Sequence, residues 1–274
     1  MKKALAYLLT IASIIIFASI PSKANDVEAG VWKDLKQLVF KDKTIEKLHG
    51  IVKIKAPYRA TDDRRVPVGV SAKLKPGQSI KEVTIIIDEN PMPVSATVTM
   101  EKRRTEFEFS TFMRFNGPSP LRVVLETDDG KFYMSETYVK TSGLGACASP
   151  PVGNPDELLA DIGKMELFDK PKKEATRLAS QSRRDAHLKI KHPNLTGLQL
   201  DQITLRYILA RFVKTIEVSQ GNEKLFSVRG GISISQNPEI SFDYLSNGSN
   251  ELKFDVTDTD KTNFKQSFPI NLGS

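Results

Sequence analysis

Cysteine and histidine are the scarcest chemical resources of this 274-residue chain: one cysteine, Cys147, and three histidines, His49, His187 and His192. A single thiol excludes an intramolecular disulfide and every cysteine-rich metal site, and three histidines leave little for a multi-histidine centre. Also missing are a Gly-x-Ser-x-Gly elbow, a phosphate-cradling glycine loop and a His-Glu-x-x-His helix. The adjacent pair Gly230-Gly231 falls between strand patterns and reads as a turn. The acidic pairs Asp62-Asp63 and Asp128-Asp129 stand in turn-like contexts. His187 and His192 are an odd number of residues apart, which places them on opposite faces of a strand, and a surface strand end is expected for them. No catalytic residue, metal ligand or cofactor is assigned. Strong charge of one sign is missing too. The groups Lys102-Arg103-Arg104 and Arg183-Arg184 lack interleaved aromatics and read as solvated charge, so no nucleic-acid partner is expected.

Long apolar runs are absent except at the start. Lys2 and Lys3 precede an apolar run over 4–20, Pro21 breaks it, and Ser22-Lys23-Ala24 forms a small-x-small site. Residues 1–24 therefore read as a secretory signal cleaved after Ala24, and the expected location is a bacterial periplasm, with no membrane contact after cleavage. Cleavage removes three lysines and no acid, which takes the net charge from +7 to +4. The sequons at Asn194 and Asn247 would matter only in a eukaryotic secretory pathway.

The mature chain is read as all-β. A short amphipathic helix is expected over 26–40, with Val31, Leu35, Leu38 and Val39 at helical spacing. Strand patterns follow at 66–70, 83–87, 95–100, 105–109, 121–125 and 132–139, the last two joined by the turn Asp128-Asp129-Gly130. Strands resume at 186–190, in places over 203–215, and at 212–218, 224–228, 232–235, 239–245, 251–256 and 263–270, with a hairpin turn at Gln220-Gly221-Asn222-Glu223. This spacing predicts two β-sandwich domains. The expected division is signal 1–24, first sandwich with its helix 25–140, arm and partly helical linker 141–182, and second sandwich 183–274. A weak echo links the halves: Ile85-Ile86-Ile87-Asp88-Glu89-Asn90-Pro91 and Ile232-Ser233-Ile234-Ser235-Gln236-Asn237-Pro238 both run into Asn-Pro, at an expected strand end or edge.

The linker holds the one thiol. Residues 141–155 contain three glycines and three prolines, and Cys147 sits among small neighbours in Gly145-Ala146-Cys147-Ala148-Ser149. The segment has no apolar pattern to form a core, so the thiol is expected to lie exposed on a mobile strap, made free by Gly143, Gly145, Ala146 and Ala148. An exposed thiol in an exported protein fits a covalent carrier better than a catalytic Cys–His pair, which needs a rigid base beside the sulfur. The plainer alternative is an unused cysteine in a linker.

These residues resemble a known pair. The segments Val66-Pro67-Val68, Ile85 to Pro93 and the arm with Cys147 resemble SoxY. The segments Ile190-Lys191-His192-Pro193, 212–218 and 232–242 resemble SoxZ, the partner of SoxY in bacterial periplasmic sulfur oxidation. The resemblance covers about 66–148 and 183–270. It implies two immunoglobulin-like sandwiches paired within one chain. It also implies a carrier that is not an enzyme: Cys147 holds a sulfur-containing intermediate for partner oxidising enzymes, and the SoxZ-like half is scaffold. Two features depart from the SoxY pattern, whose cysteine stands in a Gly-Gly-Cys-Gly-Gly chain end. Here Ala146 and Ala148 flank it, and the chain continues through Pro150-Pro151. An arm over 143–153 spans at most about 35 Å extended and reaches about half that when tied at both ends. The fusion itself resembles carriers associated with quinoprotein dehydrogenases rather than with thiosulfate oxidation. The alternative function is therefore a non-covalent accessory module for a periplasmic quinoprotein (PQQ) dehydrogenase.

Overall fold

The computed structural model describes residues 24–48, 50–143, 145–151, 155–172, 183–201 and 203–272; the expected signal segment lies almost wholly outside them. The first half contains α1 (Ala24–Phe40), β1 (Ile45–Glu46), β2 (Val52–Lys55), β3 (Val66–Lys73), β4 (Ile80–Ile87), β5 (Val94–Met100), β6 (Glu106–Met113), β7 (Ser119–Thr127) and β8 (Phe132–Val139). The second contains α2 (Pro155–Ala160), β9 (Met165–Pro171), β10 (Arg183–Ile190), β11 (Val213–Gln220), β12 (Glu223–Gly230), β13 (Glu239–Leu245), β14 (Glu251–Asp258) and β15 (Asn263–Pro269). The chain is all-β with immunoglobulin-like halves.

The two sheets run through both halves. One has the order β1-β8-β7-β4-β5-β12-β11-β14-β15, the other β2-β3-β6-β13-β10-β9. The seams are antiparallel. On one, β5 meets β12 with Val98 opposite Val228; on the other, β6 meets β13 with Phe109 opposite Phe242. Each half thus covers strand edges that the other would leave open to unwanted pairing. Strict alternation on β6 and β10 sends every second side chain into the space between the sheets. One core fills that space across the seam. Phe107 of β6 meets Phe226 of β12 edge-on at 5.5 Å, and Phe226 meets Phe242 of β13 at 4.9 Å. Such aromatic pairs add about 0.5–1.5 kcal/mol beyond their area burial.

Helix α1 lies against the outer face of the larger sheet. Trp32, Leu35, Val39 and Phe40 pack on Ile86, Val124, Phe132 and Met134. Leu38, read from spacing as part of the apolar face, is instead exposed, because Trp32 and Phe40 occupy the sheet.

Other expectations fail for identifiable reasons. Among the described residues the linker stretch after 156 is helical only through α2, residues 173–182 lying outside them; β9 follows as an edge strand beside β10, paired by backbone bonds that a polar sequence does not reveal. The short β1 and β2 carry too few residues for a pattern. Residues 232–235 are a turn with one isolated bridge, Met113 to Ile234, and 203–212 do not form a continuous strand. The basic groups are not simply solvated. Arg104 and Arg183 both bind the buried carboxylate of Asp243, at 2.8 and 2.5 Å, and Arg184 is buried on Asp169 at 2.5 Å. Of these groups Arg103 stays exposed. Asp243 also accepts the Glu108 amide at 2.6 Å, so one second-half carboxylate ties together two segments of the first half. Of the pair, His192 is fully buried rather than at the surface, and His187, on β10, is partly exposed.

Candidate functional site

Cys147 is buried, and the expectation of an exposed, mobile thiol is corrected here. The strap has no apolar pattern, as read, but its shelter is polar and comes from outside the strap. Gly143 and Gly145 have φ of 76° and 72°, in a left-handed region that side-chain-bearing residues rarely adopt. They shape turns, and the Ala148 amide closes one on the Gly145 carbonyl at 2.9 Å. Ala146 is buried and Ala148 faces solvent. At the entry to the strap, the Ser142 amide donates to Asp63 at 2.8 Å.

The second half grips the strap. Thr196 donates its hydroxyl to the Cys147 carbonyl at 2.6 Å, and Gln199 donates Nε2 to the Ser149 carbonyl at 2.8 Å. From the first half, Asn116 Oδ1 accepts the Cys147 amide at 3.4 Å. Asn116 is itself held by Asn90, whose Oδ1 accepts the Asn116 amide at 2.8 Å. Asn90 Nδ2 donates to Ser233 Oγ and to the Arg114 carbonyl, both at 2.8 Å. The two echoed Asn-Pro segments therefore meet beside the strap. Asn194, noticed from sequence only as a sequon, is buried and donates to the carbonyls of Ile234 and Ser235 at 3.1 and 3.2 Å.

Arg114 supplies the charge. It is 3% exposed, and its Nη1 donates to the carbonyls of Ile232 at 3.0 Å and Ile234 at 2.6 Å. Among the described residues no carboxylate pairs with it. A buried cation without a counter-ion is costly, and burial pulls its pKa down to about 10. Its one resolved opposing influence is the field of Cys147. The thiol in turn is pushed up to about 11 by burial, with Arg114 acting against that shift. At neutral pH the thiol is thus protonated and guarded. Alongside lies a cleft of about 360 Å³ whose lining includes Ala146 and Ser149 of the strap, Arg114, Arg64, Lys191 and Gln199.

Sequence reasoning found Cys147 and the glycines but missed Arg114, Asn116, Thr196 and Gln199. The available signals were the break in apolar alternation after Met113 and the Asn-Pro echo. His187, bonded to Ser241 at 2.7 Å, and His192 belong to separate surroundings.

Strand order and site together define a two-part β-sandwich protein built round a single sheltered thiol at the junction of its halves. The sulfur oxidation protein SoxY family matches residues 36–147, ending on Cys147, and the SoxZ family matches residues 174–269. Among solved structures, the sulfur carrier protein SoxY from Chlorobium limicola f thiosulfatophilum is 28% identical, over 42% of this chain and 98% of that one, with a TM-score of 0.36. A superoxide reductase (neelaredoxin) from Ignicoccus hospitalis is 17% identical over 33% of this chain and 79% of its own, with a TM-score of 0.25. Comparison with curated proteins gives no match. The chain belongs to the SoxY and SoxZ families of sulfur-oxidation proteins, fused in that order in one polypeptide.

Proposed function

We propose that the chain is a periplasmic sulfur carrier that holds a sulfur-containing intermediate covalently on Cys147 and presents it to partner oxidising enzymes, without catalysis of its own. The observation that carries this reading is the end of the SoxY match on Cys147, in a strap that shares a cleft with the guanidinium of Arg114, which no carboxylate pairs among the described residues. A buried cation favours the anionic form of whatever stands beside it. It suits a cargo that brings negative charge to the sulfur, and the neighbouring basic cleft suits the same charge. The SoxZ-like half acts as scaffold: it completes both sheets and supplies the Thr196 and Gln199 bonds that close the strap.

Division of labour follows from the geometry. In the closed arrangement the thiol is shielded from oxidants and from chance disulfide exchange. Loading and unloading require residues 147–149 of the strap to leave the side chains of Asn116, Thr196 and Gln199. These are hydrogen bonds of ordinary strength, each contributing about 0.5–1.5 kcal/mol net. Opening therefore lies within reach of a partner's binding energy.

The burial and raised pKa of Cys147 favour a second reading, a non-covalent accessory module for a quinoprotein dehydrogenase in which the thiol is incidental. Cys147→Ser introduced in the native host separates the two. The carrier reading expects loss of function with an unchanged melting temperature; a silent substitution would favour the accessory module.

A further inference from the structure

The described residues 195–201 and 203–211 form a finger. Its base is closed by reciprocal backbone bonds between Leu195 and Arg211, at 2.8 and 3.0 Å. Further out, the Ile208 amide donates to the Gln199 carbonyl at 2.8 Å and the Asp201 amide to the Arg206 carbonyl at 2.9 Å. At the tip, the Asp201 carboxylate accepts the amides of Ile203 and Thr204 at 2.9 and 2.7 Å. Leu205 there takes a φ of 55°, a strained conformation for a bulky residue.

The finger turns its apolar residues outward. Ile203, Leu205, Tyr207 and Leu209 are 93%, 71%, 71% and 87% exposed. They fall in a turn rather than on a strand, and Thr204 and Arg206 between them are exposed as well, while Ile208 is half-buried. Four large apolar side chains this exposed and this close together in the chain mark a place another surface covers. The base of the same finger holds the strap, since Thr196 and Gln199 make the bonds to the Cys147 and Ser149 carbonyls.

We propose that this finger is the docking element for a second protein and that its engagement unlatches Cys147, an inference that rests on the carrier reading. The occupant is a protein with an apolar recess edged by carboxylates. Its charge is set by what surrounds the finger. Gln199 lines the basic cleft, where Arg64 pairs with Asp62 and Arg65 with Glu239, which leaves Lys191 there and Arg206 on the finger without an ion-pair partner among the described residues. Seating the tip in a recess pulls on the two-residue clamp at the base, so recognition and exposure of the thiol become one event. Without the partner the clamp stays shut, which protects the cargo between encounters.

The test uses the full chain in its native host, with the double substitution Ile203→Ser and Leu209→Ser. The readout is the fraction of protein carrying a reducible adduct on Cys147, by intact mass. The proposal expects a fall of tenfold or more. It also expects the purified, reduced variant to match the wild type in melting temperature and in alkylation by iodoacetamide, since Ile203 and Leu209 are exposed and the bond from this stretch to Gln199 is a backbone bond. Equal loading of the two proteins would overturn the proposal and leave the carrier reading in place. A wild-type chain without any adduct would remove both. Sedimentation showing a wild-type dimer and a monomeric variant would assign the finger to self-association instead and likewise overturn the proposal.

Discussion

Thr196 donates its hydroxyl to the carbonyl oxygen of Cys147 at 2.6 Å, joining a residue of the SoxZ segment to the last residue matched by SoxY. The bond crosses the junction between the halves, so the second half helps hold the strap that carries the first half's thiol. Thr196→Val keeps the branched shape and removes the donor. Alkylation of Cys147 by iodoacetamide is expected to rise several-fold, with stability lower by about 1 kcal/mol. An alkylation rate equal to wild type would show that the clamp does not limit access.

Arg114 acts on the same thiol through charge. In Arg114→Leu the thiol loses its opposing cation, and its ionisation midpoint should move above the wild-type value of about 11. Arg114→Lys should recover part of the difference. The Leu variant also leaves the Ile232 and Ile234 carbonyls without their donor, at a cost of about 1–3 kcal/mol. Thiolate absorbance followed against pH reads the first effect and chemical denaturation the second. A midpoint that stays put in the Leu variant would remove Arg114 from the account.

Asp243 is the electrostatic fastening of the seam. It lies between Arg104 and Arg183 with its side chain fully buried. Asp243→Asn leaves the buried Arg104 without a carboxylate, while Arg183 keeps Glu106 at 2.6 Å, and should destabilise the fold by about 3–5 kcal/mol, since breaking a buried pair strands its partner. Urea unfolding measures this. A loss below about 1 kcal/mol, the worth of an exposed pair, would mean the seam does not depend on it.

His192 makes stability depend on pH. Its Nδ1 accepts the Asn194 amide at 3.0 Å, so Nε2 carries the proton, 3.5 Å from Asp258. Burial lowers its pKa below the ordinary 6.5, against the pull of Asp258. The unfolded chain takes up a proton as pH falls through about 6.5 while the folded chain resists, so unfolding becomes easier on the acid side. In His192→Gln the loss of stability between about pH 7 and about pH 5 should be smaller than in wild type. Identical pH profiles would assign that loss to other groups.

Much of this architecture is legible in the sequence because strands announce themselves by alternation. Apolar-to-polar period two marks β6, β13 and β14, and Asp128-Asp129-Gly130 marks the turn between β7 and β8. What stays hidden depends on contacts between distant residues. The edge strand β9 has an unremarkable polar sequence and exists because β10 offers it bonding partners. The turn at 232–235 has a strand's alternation, but Arg114 claims its carbonyls. Cys147 was legible as the one thiol of the chain, yet its burial was not, because Thr196 and Gln199 lie about fifty residues away in sequence. The alternation near 203–209 was visible; that its apolar residues stand exposed was not.

The most direct test of the carrier account is the intact mass of the protein purified from its native host during growth, without reductant, followed by peptide mapping. The account predicts a reducible sulfur-containing adduct located on Cys147, lost on treatment with a thiol reductant and absent from Cys147→Ser. A wholly free thiol, or only glutathione or a chain-to-chain disulfide at that position, would contradict it and shift the reading to a non-covalent accessory protein.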